Sequence, residues 1–384
     1  MPEPDAAPGR RDERSPRRRP GGRPLEGGSG SGGSNSAAPL YGALDLGTNN
    51  CRLLIARPSR EGFRVVDSFS RIVRLGEGLS LTGRLDAAAM DRTYDALAHC
   101  AERIGRKGLE ASRLSAVATQ ACRAAENGEA FVERVRRGTG LDLRIIDPAE
   151  EAHLSVQGCL NLFDPNADAV LVIDVGGGST ELSWLKRAGR DMKTVAWMSA
   201  PLGVVTLAER HPEPTASIPA EDDRWYEAMV DEMSAALAAG CASDPELETL
   251  RTSGRSHLVG TSGAITSLAG VHLNLRRYQR DLVDGLWMTR AECDAATRRL
   301  RSLGAAGRAA EACIGPNRAD LVLAGAAILE AVQRAWPCER VRVADRGLRE
   351  GLLLERMRAD RGPSRRRRRG RGGGQAPGAG APET

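Results

Sequence analysis

Two short segments of the chain repeat the pattern Asp-x-Gly between apolar runs, at Asp45 to Gly47 and at Asp174 to Gly176. A tight turn of small residues lets backbone N–H groups approach an oxyanion closely. A carboxylate at the strand end beside such a turn can hold a cation or its water shell. The duplication therefore predicts two similar lobes that hold one phosphorylated ligand between them.

The second copy carries the more specific pattern, because three glycines follow its apolar strand directly. Glycines weaken a strand, so a run of them at this point indicates that something requires close approach of the backbone. In the first copy, small and polar residues can offer backbone and side-chain donors to phosphate. The predicted phosphate-binding residues of the two turns are Gly47, Thr48, Asn49, Gly176, Gly177, Gly178, Ser179 and Thr180.

The two copies differ further along the chain. When they are aligned on their aspartates, Arg52 of the first copy falls on Glu181 of the second. The second lobe is therefore expected to contribute metal and water chemistry, while the first lobe mainly clamps the ligand.

A third glycine-containing turn lies at Gly260-Thr261-Ser262-Gly263, after a short apolar run. A turn of this kind at the start of a helix offers free N–H groups and a favourable dipole to an anion. Gly260, Ser262 and Gly263 are therefore further candidates for phosphate contacts, although an ordinary strand-to-helix turn would have the same pattern.

A pair of carboxylates begins the helix that precedes the second copy. Asp147 and Pro148 are typical of the N-cap and N1 positions, which makes Glu150 the N3 residue. Glu150 is then expected to be occupied at the helix terminus, and Glu151, on another face of the helix, is free to reach a cleft.

Composition locates the charge outside the predicted folded body. The chain of 384 residues has a net charge of +5, but residues 1–39 and 359–384 are rich in arginine, glycine, serine and proline. Both ends are predicted to be disordered tails, and the body between them is net acidic. The run Arg365 to Arg369 leaves weak binding of nucleic acid or polyphosphate as an alternative to a merely solvated tail. Aromatic residues make up 3 % of the chain, which disfavours a stacking platform for single-stranded nucleic acid.

The remaining composition favours a cytoplasmic protein without membrane segments. No apolar run approaches the roughly 18 residues of a membrane span, and the N-terminus has no apolar signal segment. The 8 cysteines form no Cys-x-x-Cys pair, so reduced and buried thiols are expected.

Alternating strand-like and helix-like segments predict an α/β protein of two domains, 40–165 and 166–358, with a turn-forming boundary at 163–166. The last helix is a candidate to pack back on the first domain. The predicted strands are 51–56, 63–69, 114–118, 141–146, 170–174, 181–185 and 341–344. The predicted helices are 87–106, 129–136, 220–239, 261–269, 289–303, 319–335 and 348–357, and Thr289 to Glu292 fits a capping box.

Six separated segments resemble the exopolyphosphatase and guanosine pentaphosphate phosphatase (Ppx/GppA) family, in that family's order and spacing. They are 45–52, 118–123 with Asn127, 150–152, 172–182, 260–263 and 347–351. The resemblance implies the two-lobed actin-like ATPase fold, which is ribonuclease H-like, with the active site in the interdomain cleft.

The resemblance also implies roles for individual residues. Glu151 matches the catalytic glutamate, Glu181 a second catalytic carboxylate, and Arg123 an arginine that holds the phosphate chain. Mg²⁺, or another divalent cation, is expected near Asp45, Asp174 or Glu181.

The chain departs from the family pattern in three places. His153 stands where arginine is usual, Asn50 where serine is common, and Ala264 where threonine often follows. The first departure is expected to weaken an ion pair that orients the glutamate helix. The body ends soon after Met357, so the long C-terminal helical domain of larger members is expected to be missing.

The expected reaction is Mg²⁺-dependent hydrolysis of the terminal phosphoanhydride of polyphosphate by a water that Glu151 activates. Guanosine pentaphosphate is the alternative substrate. A non-catalytic nucleotide-binding regulator and a kinase of the same fold are further alternatives, but a kinase of this kind usually has an aspartate base. The absence of a Walker-type Gly-Lys-Ser/Thr motif disfavours a P-loop enzyme. The oligomeric state is open, with a homodimer as the expectation.

Overall fold

The computed structural model describes residues 38–60, 62–214, 219–241, 245, 249–250 and 255–361, all of which belong to one compact unit. The predicted disordered tails therefore lie almost entirely outside the described residues. Residues 359–361, predicted as the start of the second tail, instead continue the last helix. Within the described ranges, no helix is long and apolar enough to cross a membrane.

The strands form two mixed sheets. The first sheet has five strands in the order β3-β2-β1-β4-β5, and the second has six in the order β10-β11-β9-β6-β7-β8. The strands are β1 Tyr41–Leu46, β2 Asn50–Ser59, β3 Gly62–Ile72, β4 Leu114–Ala118, β5 Arg144–Ile145, β6 Ala169–Val175, β7 Thr180–Ala188, β8 Asp191–Ala200, β9 Ser256–Thr261, β10 Trp287–Thr289 and β11 Arg340–Ala344.

Helices connect these strands and cover the sheets. They are α1 Leu79–Thr82, α2 Ala87–Lys107, α3 Gln120–Ala124, α4 Gly128–Thr139, α5 Pro148–Cys159, α6 Val204–Arg210, α7 Pro219–Cys241, α8 Gly263–His272, α9 Arg280–Val283, α10 Arg290–Ser302, α11 Gly304–Ala310, α12 Val322–Ala335 and α13 Leu348–Arg361.

The sheets repeat one topology. In each, an antiparallel hairpin (β1-β2 or β6-β7) is extended by a third antiparallel strand and paired on its other side with a parallel strand. Asp45 pairs with Arg52 across the first hairpin, and Asp174 pairs with Glu181 across the second. The two aspartates thus occupy equivalent positions, which explains the repeated Asp-x-Gly pattern.

Alternate residues of the central strands pack on opposite faces, as the pleat of a strand requires. Leu44 and Leu46 of β1 belong to one apolar core, while Tyr41 and Ala43 belong to another. A central strand that is buried on both faces reads as a continuous apolar run rather than an alternating one. This explains why the strands before both turns were predictable from sequence.

The last helix, α13, packs on the first sheet. Its residues Leu348, Leu352, Leu353 and Met357 share a buried core with Tyr41 and other residues of β1 and β2. α13 also lies against α5, the helix that carries Glu151. The C-terminal segment therefore returns to the first lobe, while the predicted boundary near residue 165 remains a prediction.

Several elements differ from the sequence prediction. The short elements β10, α1, α3, α6, α9 and α11 were not predicted. The strand predicted at 141–146 is reduced to Arg144–Ile145. The third strand of the second hairpin unit, β8, was missed because its residues are mostly exposed or half-buried at the sheet edge.

Candidate active site

A cavity of about 300 Å³ is lined by both Asp-x-Gly turns. It brings together most of the residues predicted for the site: Asp45, Gly47, Thr48, Asn49, Glu151, Asp174, Gly176, Gly177, Gly178, Ser179, Ser262 and Gly263. Four predicted site residues, Arg123, Thr180, Glu181 and Gly260, lie outside this lining. The cavity therefore brings carboxylates close to groups that can donate hydrogen bonds to phosphate.

The first turn uses its carbonyls within its own lobe. The Thr48 carbonyl accepts a hydrogen bond from Gly76 N at 2.9 Å, and the Asn49 carbonyl accepts one from Val73 N at 2.9 Å. The amides of Thr48 and Asn49 have no acceptor among the described residues. Because the carbonyls are held elsewhere, these amides are available to an anion.

The second turn follows the same principle. The carbonyls of Gly176 and Gly177 accept from Val204 N at 3.0 Å and Val205 N at 2.8 Å, at the start of α6. For the amides of Gly177 and Gly178, the described part of the chain likewise supplies no acceptor. The Gly47 and Gly176 amides, by contrast, donate to Asn50 O and Ser179 O within their own turns, both at 2.9 Å. Each lobe thus contributes a turn with two N–H groups that find no acceptor in the described part of the chain.

The glycines of the second turn allow the two turns to touch. A Cβ added to Gly177 would lie 2.8 Å from Thr48 Cβ and 3.2 Å from Asn49 N. One added to Gly178 would lie 3.0 Å from Thr48 Oγ1 and 3.0 Å from Gln120 Cγ. The glycine run therefore permits close approach of the other lobe, in addition to any approach of a ligand.

The turn after β9 offers fewer free backbone N–H groups than its sequence suggested. The Ser262 hydroxyl accepts hydrogen bonds from Ala264 N and Ile265 N, both at 3.1 Å. Ser262 is thus the N-cap of α8, and its own side chain satisfies amides that were expected to be free. Gly260 lies behind the cavity wall, where an added Cβ would meet Ile265 at 2.6 Å.

Both aspartates of the two turns line the cavity wall. The side chains of Ser155 and Thr261 donate to the two carboxylate oxygens of Asp174, the latter at 3.3 Å. Burial raises the pKa of Asp45 to about 6, against the lowering effect of Arg52. Burial likewise raises the pKa of Asp174. Burial therefore disfavours the charged form of both carboxyl groups.

Glu151 lies in the first turn of α5, is only 7 % exposed and lines the cavity. The Asp147 side chain accepts from Glu150 N at 2.8 Å, which confirms Asp147 as the N-cap. The Glu150 carboxylate pairs with Arg144 on the outer side. Burial, and then the charge of Glu181, raises the pKa of Glu151 well above its ordinary value. Glu151 is thus a desolvated carboxylate of the kind that general bases require.

Arg123 contacts Glu151 rather than the cavity. Its Nη1 donates to Ile146 O at 2.6 Å and to Glu151 Oε2 at 3.2 Å, and its Nη2 donates to Gln120 Oε1 at 2.7 Å. In this arrangement the guanidinium fixes the Glu151 carboxylate. Its role in holding the phosphate chain stays a prediction.

Glu181 and Thr180 are buried behind the wall. The Glu181 carboxylate accepts from Ser199 Oγ at 2.8 Å, and burial together with Asp174 raises its pKa to about 7. The Thr180 hydroxyl donates to Leu202 O at 2.7 Å. Glu181 therefore acts electrostatically on Asp174 and Glu151, and its predicted catalytic and metal-binding roles remain predictions.

The departure at position 153 connects two helices. His153 Nε2 lies 2.9 Å from Glu355 Oε1, so the histidine of α5 contacts α13. This polar contact lies on the exposed surface and links the glutamate helix to the C-terminal helix.

Four arginines of the cavity wall were missed as site residues: Arg52, Arg318, Arg346 and Arg349. Arg346 pairs with Asp284. Arg52 and Arg349 both lower the pKa of Asp45. Arg318 lies beside Gly263, where an added Cβ would be 3.9 Å from Arg318 Cζ. Arg52 and Arg349 fall within the family-like segments 45–52 and 347–351, and this position was the sequence signal that could have identified them as site residues. No sequence pattern marked Arg318.

The residues fit a divalent cation held partly by substrate. No cluster of three or more His, Cys, Asp or Glu side chains arranged for a metal occurs within the described ranges. Asp45 and Asp174 line one cavity, and burial raises the pKa of both carboxyl groups. A bound cation would stabilise their charged forms. Mg²⁺ is usually bound by one or two carboxylates, water and substrate phosphate. The donor set thus suits Mg²⁺ rather than an all-protein metal cage.

Two α/β lobes that repeat one strand order, and whose Asp-x-Gly turns line one cavity, define a protein of the actin-like ATPase fold class. The fold predicted from sequence is confirmed. The chain belongs to the Ppx/GppA phosphatase family, whose sequence model matches residues 54–360.

Similar proteins include named enzymes and solved structures. A protein of Photobacterium profundum named guanosine-5'-triphosphate,3'-diphosphate pyrophosphatase is 30 % identical over 84 % of this chain and 60 % of its own length. Exopolyphosphatase 1 of Mycobacterium tuberculosis is 29 % identical over 82 % of this chain and 88 % of its own length. The solved structure of the Aquifex aeolicus Ppx/GppA family member is 28 % identical, with a TM-score of 0.67, over 84 % of this chain and 98 % of that one.

Proposed function

We propose that the protein hydrolyses the terminal phosphoanhydride bond of inorganic polyphosphate and releases phosphate. The observation that carries this proposal is Glu151, a buried carboxylate that lines the same cavity as the two anion-accepting turns. Water activation needs a base beside a bound phosphate. Membership of the Ppx/GppA phosphatase family supports the same reaction class.

The chain's own residues would act through positioning and charge. The unpaired amides of Thr48, Asn49, Gly177 and Gly178 would hold the terminal phosphate, with the cavity arginines neutralising its oxygens. Glu151, fixed by Arg123, would orient a water in line with the scissile bond and accept its proton. Phosphoryl transfer depends mainly on such positioning and charge stabilisation. Mg²⁺, held by Asp45 and Asp174, would supply further neutralisation of the phosphate oxygens.

Guanosine pentaphosphate is the second candidate substrate. The name of the Photobacterium relative supports it, and so does Tyr278, the one aromatic among the described residues that line the cavity. An aromatic ring can stack a base. Guanosine pentaphosphate carries much less charge than a long polyphosphate chain. Assays with the two substrates can therefore tell them apart.

The seven cysteines whose side chains the structure describes are buried and free of disulfides. Free thiols are typical of a reducing compartment, so we place the protein in the cytoplasm. A homodimer remains a proposal from the sequence alone.

The test measures phosphate release from long polyphosphate and from guanosine pentaphosphate side by side, with Mg²⁺ and with a chelator. We expect polyphosphate turnover that chelation abolishes, because the two aspartates would repel phosphate oxygens if no cation lay between them. Turnover of both substrates that survives chelation would contradict the metal assignment. Turnover of guanosine pentaphosphate alone would replace the primary substrate with the second.

The pH dependence follows from the direction of the Glu151 shift. A base must be deprotonated to accept a proton, and burial and Glu181 raise the pKa of Glu151 well above 4.5. Activity should therefore fall as the pH is lowered through that raised value, while an ordinary glutamate would keep its activity to about pH 5. The measurement is kcat/KM for polyphosphate across the acid range. Undiminished kcat/KM at about pH 5 would contradict Glu151 as the base.

A further inference from the structure

An exposed basic loop borders the cavity where α8 gives way to α9. Arg276, Arg277 and Tyr278 are consecutive exposed residues of this loop, and Tyr278 lines the cavity. The two arginines therefore directly precede a residue of the cavity wall. We call residues 275–279 the basic loop.

The basic loop is held at both ends. Asn274 Oδ1 accepts from Arg299 Nη1 at 3.2 Å, and Leu275 O accepts from Cys313 Sγ at 3.0 Å. Beyond the loop, Arg280 Nη2 donates to Asp345 O at 2.6 Å. These contacts fix the backbone on either side and leave Arg276 and Arg277 at the tip.

The arginines at the tip differ from their neighbours in lacking carboxylate partners. Neither Arg276 nor Arg277 makes a hydrogen bond or ion pair with another described residue. By contrast, Arg280 pairs with Asp345 at 3.3 Å and Arg299 with Glu311 at 2.8 Å. The positive charge at the tip is therefore not neutralised by those nearby acids.

The cavity is too small to hold a long ligand, so most of such a ligand must bind outside it. About 300 Å³ suits a small molecule, so only the end of a polyphosphate chain can be enclosed. The rest must run over the surface next to the opening. Arg318 in the wall, whose guanidinium makes no hydrogen bond or ion pair with a described residue, adds positive charge at the cavity itself.

We propose that the basic loop is a subsite for the part of a long polyphosphate chain that lies outside the cavity, with Arg276 and Arg277 binding its phosphates. This inference rests on the proposed function and specifies its substrate as polymeric. Planar guanidinium groups suit phosphate oxygens because they present donors in a fixed fork. A chain too short to leave the cavity would not reach these residues.

The test uses the double variant Arg276→Gln/Arg277→Gln in the full chain, with Arg64→Gln/Arg106→Gln as the control. The control removes the same charge from two exposed arginines of the first lobe. Loss of two exposed ion contacts should raise KM for long polyphosphate roughly 2- to 30-fold. KM for tripolyphosphate and kcat for both substrates should stay within about twofold, since the cavity is unchanged.

Binding provides a readout that needs no turnover. Affinity of labelled long polyphosphate, measured at several salt concentrations, should show a slope of log affinity against log salt that is smaller by about two in the double variant. A slope and KM equal to those of the control would overturn the inference, as would equal losses for long chains and tripolyphosphate. If the wild type binds polyphosphate but releases no phosphate, the proposed function fails while the subsite is still measured.

Discussion

The Glu151→Gln variant should lose roughly 10²- to 10⁴-fold in kcat for polyphosphate, the contribution typical of a general base. Glutamine keeps the size of the side chain and can still accept a hydrogen bond from Arg123, but it cannot take a proton from water. Substrate affinity should change little. Thermal stability should also change little, because removal of the buried charge offsets the loss of its ion pair with Arg123. The measurement is kcat from phosphate release, together with the melting temperature.

Its neighbour provides a matched control. Glu150 lies in the same helical turn, but its carboxylate pairs with Arg144 on the outside of the helix. Glu150→Gln should therefore keep kcat within about twofold, as surface ion pairs contribute little. Near-normal turnover by Glu151→Gln, or equal losses in the two variants, would remove Glu151 from the role of base.

A second large effect is expected from Gly177→Ala, which should lower kcat/KM by about 100-fold. The new methyl group would lie 2.8 Å from Thr48 Cβ and 3.2 Å from Asn49 N. The two turns must then separate, and misplacement by about 1 Å can cost that much in rate because the donors no longer converge on one phosphate. The measurement is kcat/KM for polyphosphate, with the melting temperature recorded beside it.

Gly105→Ala distinguishes this steric effect from a general effect of removing a glycine. Gly105 lies within α2, and an added Cβ there would meet nothing within 4 Å. That variant should keep its activity and gain about 0.5 to 1 kcal/mol of stability. Full activity in Gly177→Ala would show that contact between the turns is not needed for catalysis.

Short sequence patterns correctly predicted those parts of the fold that depend on interactions between residues close together in the chain. The capping box at Thr289 and Glu292 is present, and Asp147 caps α5 as its sequence indicated. The buried strands β1 and β6 were predictable because burial on both faces demands an apolar run. The edge strand β8 and the short helix α6 carry no such requirement, and neither was predicted.

The site was predictable where a residue's type already limits its role. The sequence alone indicated the glycines of the second turn, which allow another part of the backbone to come close. It also indicated Glu151, which lies one position after the N3 residue of a capped helix. The partner of Arg123 could not be predicted, because it depends on how α3 packs against the start of α5. Ser262 was misjudged for a similar reason: its hydroxyl turns back to cap α8 and thereby occupies amides that were expected to be open to an anion.

The most direct measurement of the central claim is hydrolysis of polyphosphate in ¹⁸O-labelled water with Mg²⁺ present. If Glu151 activates water against the terminal phosphate, each released phosphate should carry one labelled oxygen, and the label should appear at the rate of chain shortening. Chain shortening without release of free phosphate would mean transfer of the terminal phosphoryl group to another acceptor. That result would contradict a hydrolase and favour a kinase of the same fold.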